Sequence, residues 1–329
     1  MIIARSDHRY QVETIQRPWD GRRLTGSSGI WQSEWVTAAQ PEHPRRGLSR
    51  VPAVWMVIGG IFSVQFGAAI AKDLFALVPP TAMVWLRLAT SAVIFLVIVR
   101  PRVRGRSIRD WLVALAFGVS LVTMNWGIYQ SFARIPLGVA VTIEFLGPLT
   151  VAVIGSRRPR DLLWVALAGA GVALLGLTRT NLTLASVLFA LLAGVGWGCY
   201  ILLSARTGQH WSGISGLAIA SLVGAVSLAG PAIIEAGATL LQPKVLLLGI
   251  AIGLLSSVIP YSLELTALRR IPPRVFSILM SLEPAAAAVA AMLLLREFLT
   301  WTQWLALCFV VAASVGATRS ARPQAEPSP

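Results

Sequence analysis

From Val51 onward the hydrophobic positions neither alternate nor recur every three to four residues; they run on unbroken. The apolar runs fall at 52 to 71, 81 to 99, 111 to 132, 136 to 155, 162 to 178, 184 to 204, 213 to 234, 245 to 267, 273 to 294 and 300 to 317. About 20 apolar residues in a helix cross the hydrocarbon core of a bilayer, so the pattern predicts an all-α membrane protein with ten transmembrane helices. Gly147, Pro148, Gly194, Gly196, Gly198, Pro231, Pro260 and Pro284 lie within the runs. A membrane helix tolerates such residues, because neighbouring helices satisfy the backbone groups they free. Residues 1–50 differ in kind, being rich in Arg, Gln, Ser, Trp, Pro and Gly, with no apolar stretch long enough for a signal peptide. They read as a disordered cytoplasmic N-terminal tail, or as sequence upstream of the true translation start.

The spans repeat. Arg134-Ile135-Pro136 recurs as Arg270-Ile271-Pro272, and Gly147-Pro148 as Glu283-Pro284, both at an offset of 136. The chain therefore reads as two five-helix units, 51–180 and 181–318, followed by a short cytoplasmic tail over 319–329. Five is odd, so the second unit enters the membrane from the other side, which makes the repeats inverted. The charges agree: the loop after span 2 holds five arginines while its counterpart after span 7 holds Lys244 alone.

Composition excludes several classes. Of 329 residues, 13% are charged and 56% hydrophobic, far from the balance of a soluble enzyme. The net charge of +14 raises the question of nucleic acid, but the basic residues sit at the ends of apolar runs. Counted by alternate loops, 22 Lys and Arg fall on one side and 5 on the other, which predicts that both termini are cytoplasmic. Cys199 and Cys308 lie inside apolar runs and offer neither metal-ligand spacing nor a disulfide framework. No phosphate-binding loop, nucleophile elbow or paired catalytic set occurs, so the sequence predicts no enzyme, no cofactor and no ATP-driven pump.

Ionisable groups at bilayer depth mark candidate functional sites. Glu144 lies mid-span in Val-Thr-Ile-Glu-Phe-Leu-Gly-Pro, Glu264 in Pro-Tyr-Ser-Leu-Glu-Leu-Thr, and Glu283 in Met-Ser-Leu-Glu-Pro. Glu144 and Glu283 occupy nearly equivalent places in the two repeats. Paired carboxyls there suit a proton or an ammonium group; the competing reading is a neutral acid bonded to backbone freed by the nearby proline. Arg87, inside span 2, suits a substrate carboxylate, and its rival roles are an ion pair with Asp73 or Glu144, or snorkelling to the headgroups. Lys72, at the end of span 1, is explained by topology and snorkelling. Asn125 and Tyr129, Tyr261 and Glu264, and Trp197 and Tyr200 share helical faces, and Asn125 and Tyr261 are repeat equivalents. Inverted repeats with buried ionisable groups between them suit alternating access.

The segments 135 to 149 (Ile-Pro-Leu-Gly-Val-Ala-Val-Thr-Ile-Glu-Phe-Leu-Gly-Pro-Leu), 260 to 272 and 277 to 288 resemble the bacterial threonine/homoserine exporters. Those exporters belong to the EamA branch of the drug/metabolite transporter superfamily, and the likeness covers about residues 52 to 318. It implies an inner-membrane secondary transporter that exports threonine-like amino acids, by proton antiport. The family's motif glutamates match Glu144, Glu264 and Glu283, and its span 1 pattern matches Gln65, Gly67, Ala68, Ala71 and Lys72. The expected partners are a small amino acid or polar metabolite, protons and the lipid bilayer. Alternatives are the same fold with another cargo, such as a drug, a purine or a sugar conjugate, and, more distantly, an intramembrane enzyme or lipid-handling protein.

Overall fold

The computed structural model describes residues 51–156, 161–176 and 182–320, and the tail of residues 1–50 lies outside them. All regular structure among the described residues is helical. The helices are α1 (Ala53–Asp73), α2 (Pro80–Val99), α3 (Ile108–Phe132), α4 (Leu137–Glu144), α5 (Leu146–Ser156), α6 (Asp161–Gly176) and α7 (Leu184–His210). They continue with α8 (Ser215–Ala236), α9 (Pro243–Gly253), α10 (Ile259–Leu268), α11 (Pro273–Met280), α12 (Glu283–Leu294) and α13 (Trp301–Ser320). Taken as spans, nine among the described residues are long and apolar enough to cross a membrane, and Leu162–Leu175 within α6 is a shorter apolar helix.

Three of the expected spans are broken, and proline places each break. Pro148 has no N–H for the Glu144 carbonyl, and the span divides at Phe145 into α4 and α5. Pro284 likewise leaves the Met280 carbonyl without its usual donor, and the span divides at Ser281-Leu282 into α11 and α12. Pro260 frees the Ser256 carbonyl, and here the chain relaxes into a π-helical turn, Leu254–Val258, between α9 and α10. Soluble helices would lose about 3 kcal/mol at each such proline. At the Pro260 break other helices supply donors: Ser63 Oγ of α1 donates to the Leu255 carbonyl (2.6 Å) and Arg87 Nη2 of α2 donates to the Ser256 carbonyl (2.8 Å).

Local chemistry starts and stops the other helices. Ser107 and Asp110 form a reciprocal capping box at the head of α3, and Thr183 caps α7 by accepting from the Ser186 N–H. Arg100 ends α2 in the left-handed region at φ 47°.

Around α1 pack the π turn, α10 and α12; α2 packs on α8 and α9; α3 on α7 and α8; α4 on α12 and α7; and α6 on α13. The main core draws on Ala69, Met83, Tyr129, Leu137, Ile143, Ala190, Ala218 and Ala290. Small residues set the helix spacing. At Gly147 a Cβ would lie 1.9 Å from the Gly194 carbonyl oxygen, so α5 and α7 touch through backbone. Val93, Val97, Val195, Val226, Ile234 and Leu247 face outward and exposed, which suits lipid contact rather than water.

Candidate functional site

The ends of the helices define two faces. At one, α1 ends and α2 and α4 begin; Lys72 Nζ donates to the Ile135 carbonyl (2.7 Å) and pairs with Glu297 (2.5 Å), whose other oxygen accepts from the Leu137 N–H (2.9 Å). At the other, α1 begins near the end of α10, where Arg270 Nη1 donates to the Val51 carbonyl (3.3 Å). Lys72 thus does more than snorkel: with Glu297 it knots the end of α1, the head of α4 and the segment before α13. The pairing is out of reach of hydropathy because Glu297 sits in a loop that carries no motif.

Arg87 stands seven residues into α2 and Glu144 seven residues into α4, so both lie about 10 Å below the Lys72 face. Glu144 closes α4 at the break made by Pro148, and Glu283 opens α12 at the break made by Pro284. Both side chains are buried. Glu264, half-buried on α10, rests against α1: a Cβ at Gly60 would lie 3.4 Å from its Cγ and from its Oε1. The three carboxyls are electrostatically linked. Glu283 is close enough to interact electrostatically with both Glu264 and Glu144, and Glu144 with Arg87. Tyr261 interacts with Arg87, Glu264 and Glu283, and Tyr200 stands beside Tyr261.

Arg87 is 7% exposed. Its Nε donates to Ser257 Oγ (3.2 Å) and its Nη2 to the Ser256 carbonyl, and its guanidinium carbon lies 5.9 Å from the centre of the Tyr129 ring. Neither rival role expected for it is realised. Among the described residues no carboxylate lies within 4.0 Å of it, so there is no ion pair with Asp73 or Glu144, and its burial leaves no path to the headgroups.

The other sequence candidates make contacts of their own. Asn125 donates through Nδ2 to the Leu121 carbonyl of its own helix (2.8 Å). Trp197 packs edge-on against Phe145, 5.4 Å between centroids, and so touches the neighbour of Glu144 rather than Glu144 itself. Gln65 is buried on α1. Sequence reasoning passed over Ser256 and Ser257. The signal was present: Pro260 stands four residues beyond Ser256, and a proline there frees that carbonyl for a partner on another helix.

At the far face a second knot joins α3 to the end of α7. His210 Nδ1 and Asp110 Oδ1 are 2.7 Å apart, Trp211 Nε1 donates to the Asp110 carbonyl (3.1 Å), and the Arg106 guanidinium stacks 4.6 Å over the Trp211 ring. Among the described residues no group of three or more His, Cys, Asp and Glu is placed to hold a metal ion.

A polar series of this kind, inside a bundle of broken helices, suits passage of a small polar solute. Residues 184–319 match the EamA-like transporter family. The threonine/homoserine exporter RhtA of Escherichia coli (strain K12) is 40% identical over 287 residues, covering 85% of this chain and 97% of its own length. The exporter of the same name from Salmonella typhimurium (strain LT2) is 40% identical over 283 residues, covering 84% of this chain and 96% of its own. A solved crystal structure, 18% identical, shares the fold with a TM-score of 0.58 over 82% of this chain and 97% of its own. The identity to the exporters extends across nearly their whole length, and the chain therefore belongs to the EamA-like transporter family and is a transporter, not an enzyme.

Proposed function

We propose that the protein exports small amino acids of the threonine and homoserine class across the bacterial inner membrane, by proton antiport and alternating access. The observation that carries this reading is the juxtaposition of a buried, ion-pair-free Arg87 with a series of three buried or half-buried carboxyls. A zwitterionic cargo needs both signs of charge: Arg87 suits the carboxylate, and Glu144 suits the ammonium group or the coupling proton, with Glu264 and Glu283 continuing the proton path. Relatives named as threonine/homoserine exporters, 40% identical, support the choice of cargo.

Two inverted repeats, 51–180 and 181–318, supply the alternating geometry. The helix pairing supports them. Exchanging the repeats maps the pairs α2 with α8 and α6 with α13 onto themselves, pairs the span of α4 and α5 with the equivalent span of α11 and α12, and exchanges the contact of α1 on α10 with that of α7 on α3. The two helices broken by proline in equivalent places, each with a glutamate at the break, support a binding site at the repeat interface. The skew of Lys and Arg among the loops supports a cytoplasmic location for both termini.

Uptake of labelled threonine into inside-out vesicles holding the protein tests the reading. Accumulation is expected when the vesicle lumen is acidic, with loss of that pH response in Glu144→Gln. Accumulation that ignores the gradient would refute antiport, and an unchanged pH response in Glu144→Gln would remove Glu144 from the path.

A further inference from the structure

Three observations meet around Arg87. First, the guanidinium is buried without a carboxylate within 4.0 Å among the described residues, and its two protein partners, the Ser257 hydroxyl and the Ser256 carbonyl, are uncharged. Buried charges are ordinarily matched by an opposite charge, and the two bonds leave Nη1 with no partner among the described residues. Second, two hydroxyls beside it are buried with no hydrogen-bond partner: Tyr129 Oη, on the ring over which the guanidinium lies, and Ser256 Oγ, from the residue whose carbonyl Arg87 holds. Orphaned buried hydroxyls are rare and costly, so two of them on residues that touch a cation with no ion pair within 4.0 Å call for an explanation. Third, α1 closes directly over Ser256 Oγ at Gly67, where a Cβ would clash with that oxygen, so a ligand reaches the hydroxyl only as α1 and the π turn move apart.

We infer that Arg87, Tyr129 and Ser256 form one subsite that binds the carboxylate of the cargo. A carboxylate offers about four lone-pair positions, enough to accept from the guanidinium and from both hydroxyls together. The donors come from α2, α3 and the π turn of the span that Pro260 breaks. Closing on a carboxylate therefore ties three helices together, and the turn exists because proline freed the Ser256 carbonyl for Arg87. Glu144 stands at about the same depth as Arg87 and close enough to feel its charge, so a bound amino acid has its carboxylate on Arg87 and its ammonium group toward Glu144. This inference rests on the reading of the protein as an amino-acid exporter and adds to it two residues, Tyr129 and Ser256.

Removing Arg87 would leave the Ser256 carbonyl unmatched and is a poor test, since the span itself is then perturbed. Tyr129→Phe and Ser256→Ala delete only hydroxyls that have no partner in the empty protein, so both variants should melt at or above the wild-type temperature without ligand. Binding of threonine and of threoninol, in which a hydroxymethyl group replaces the carboxylate, is measured on the full chain in nanodiscs. The wild type is expected to prefer threonine by at least about 10-fold, and each variant to lose about 10-fold in threonine affinity with threoninol affinity unchanged. If both variants keep the wild-type preference, the hydroxyls take no part and the subsite is wrong while the exporter reading stands. If the folded wild type binds threonine no better than threoninol, the carboxylate subsite is overturned for every one of its residues. If it binds neither, the amino-acid reading falls with it.

Discussion

Arg87 shows how much a single buried residue is asked to do. Its planar fork reaches two acceptors on adjacent residues, Ser257 Oγ and the Ser256 carbonyl, which a lysine ammonium on a flexible stem cannot match in the same geometry. Arg87→Lys is therefore expected to lose one of these bonds, lowering stability by about 1–2 kcal/mol and cutting threonine uptake by more than about 10-fold. Thermal unfolding in detergent and vesicle uptake read the two effects separately; a variant as stable and as active as wild type would reduce Arg87 to a generic cation. That Arg87 sits inside a span and matters was legible in the sequence, since an arginine at bilayer depth stands out against apolar neighbours. Its partners were not legible, because they lie 169 and 170 residues away and are small serines of a kind that commonly bond their own helix.

Among the helices, close approach and the knots at the two faces carry the argument. Gly147→Ala would drive a methyl group to 1.9 Å of the Gly194 carbonyl oxygen, a backbone atom that cannot rotate away. The expected cost is about 3 kcal/mol or more, and since Gly194 also faces the Glu144 carbonyl, transport should fall with stability. A melting temperature equal to wild type would mean that α5 and α7 can separate freely. The Lys72–Glu297 pair makes a different prediction. Both side chains are mostly buried and Glu297 also accepts from the Leu137 N–H, at the head of the helix that ends in Glu144. A double-mutant cycle of Lys72→Gln and Glu297→Gln should show a coupling of about 1–3 kcal/mol, each single change also weakening a backbone contact. Additive effects would mean that the pair is incidental. The breaks in the spans, by contrast, were foreshadowed by Pro148, Pro260 and Pro284, whose missing N–H acts on the chain that carries it.

For the molecule as a whole the distribution of charge makes the test. With 22 Lys and Arg in one set of loops and 5 in the other, Arg104 and Lys244 are expected on opposite sides of the membrane. A cysteine replacing Arg104 should react with a membrane-impermeant thiol reagent only in inside-out vesicles, and one replacing Lys244 only in right-side-out vesicles or intact cells. Labelling of both from one side would overturn the inverted arrangement as well as the orientation. The native Cys199 and Cys308 are exposed on helices within apolar runs and should stay unlabelled from either side, as thiols shielded by lipid.

The sequence by itself determined the solvent, the approximate spans and which of them carry a proline, while the tertiary structure decided that Pro231 leaves its helix whole. What the sequence determined follows from properties that each residue carries alone: an apolar run of about 20 residues is stable only out of water, and a proline lacks its N–H wherever it stands. It also singled out Glu144, Glu264, Glu283 and Arg87, because a lone ionisable group among apolar ones is costly in any arrangement. Only the tertiary structure decided which groups meet. It set Glu297 rather than a headgroup against Lys72, turned the Asn125 amide onto its own helix, gave Arg87 the serines of the π turn, and left Tyr129 and Ser256 with hydroxyls unmatched beside it. Such contacts depend on how helices far apart in the chain rotate and approach. That is governed by packing of small residues and by pairwise polar geometry, neither of which leaves a mark on hydropathy.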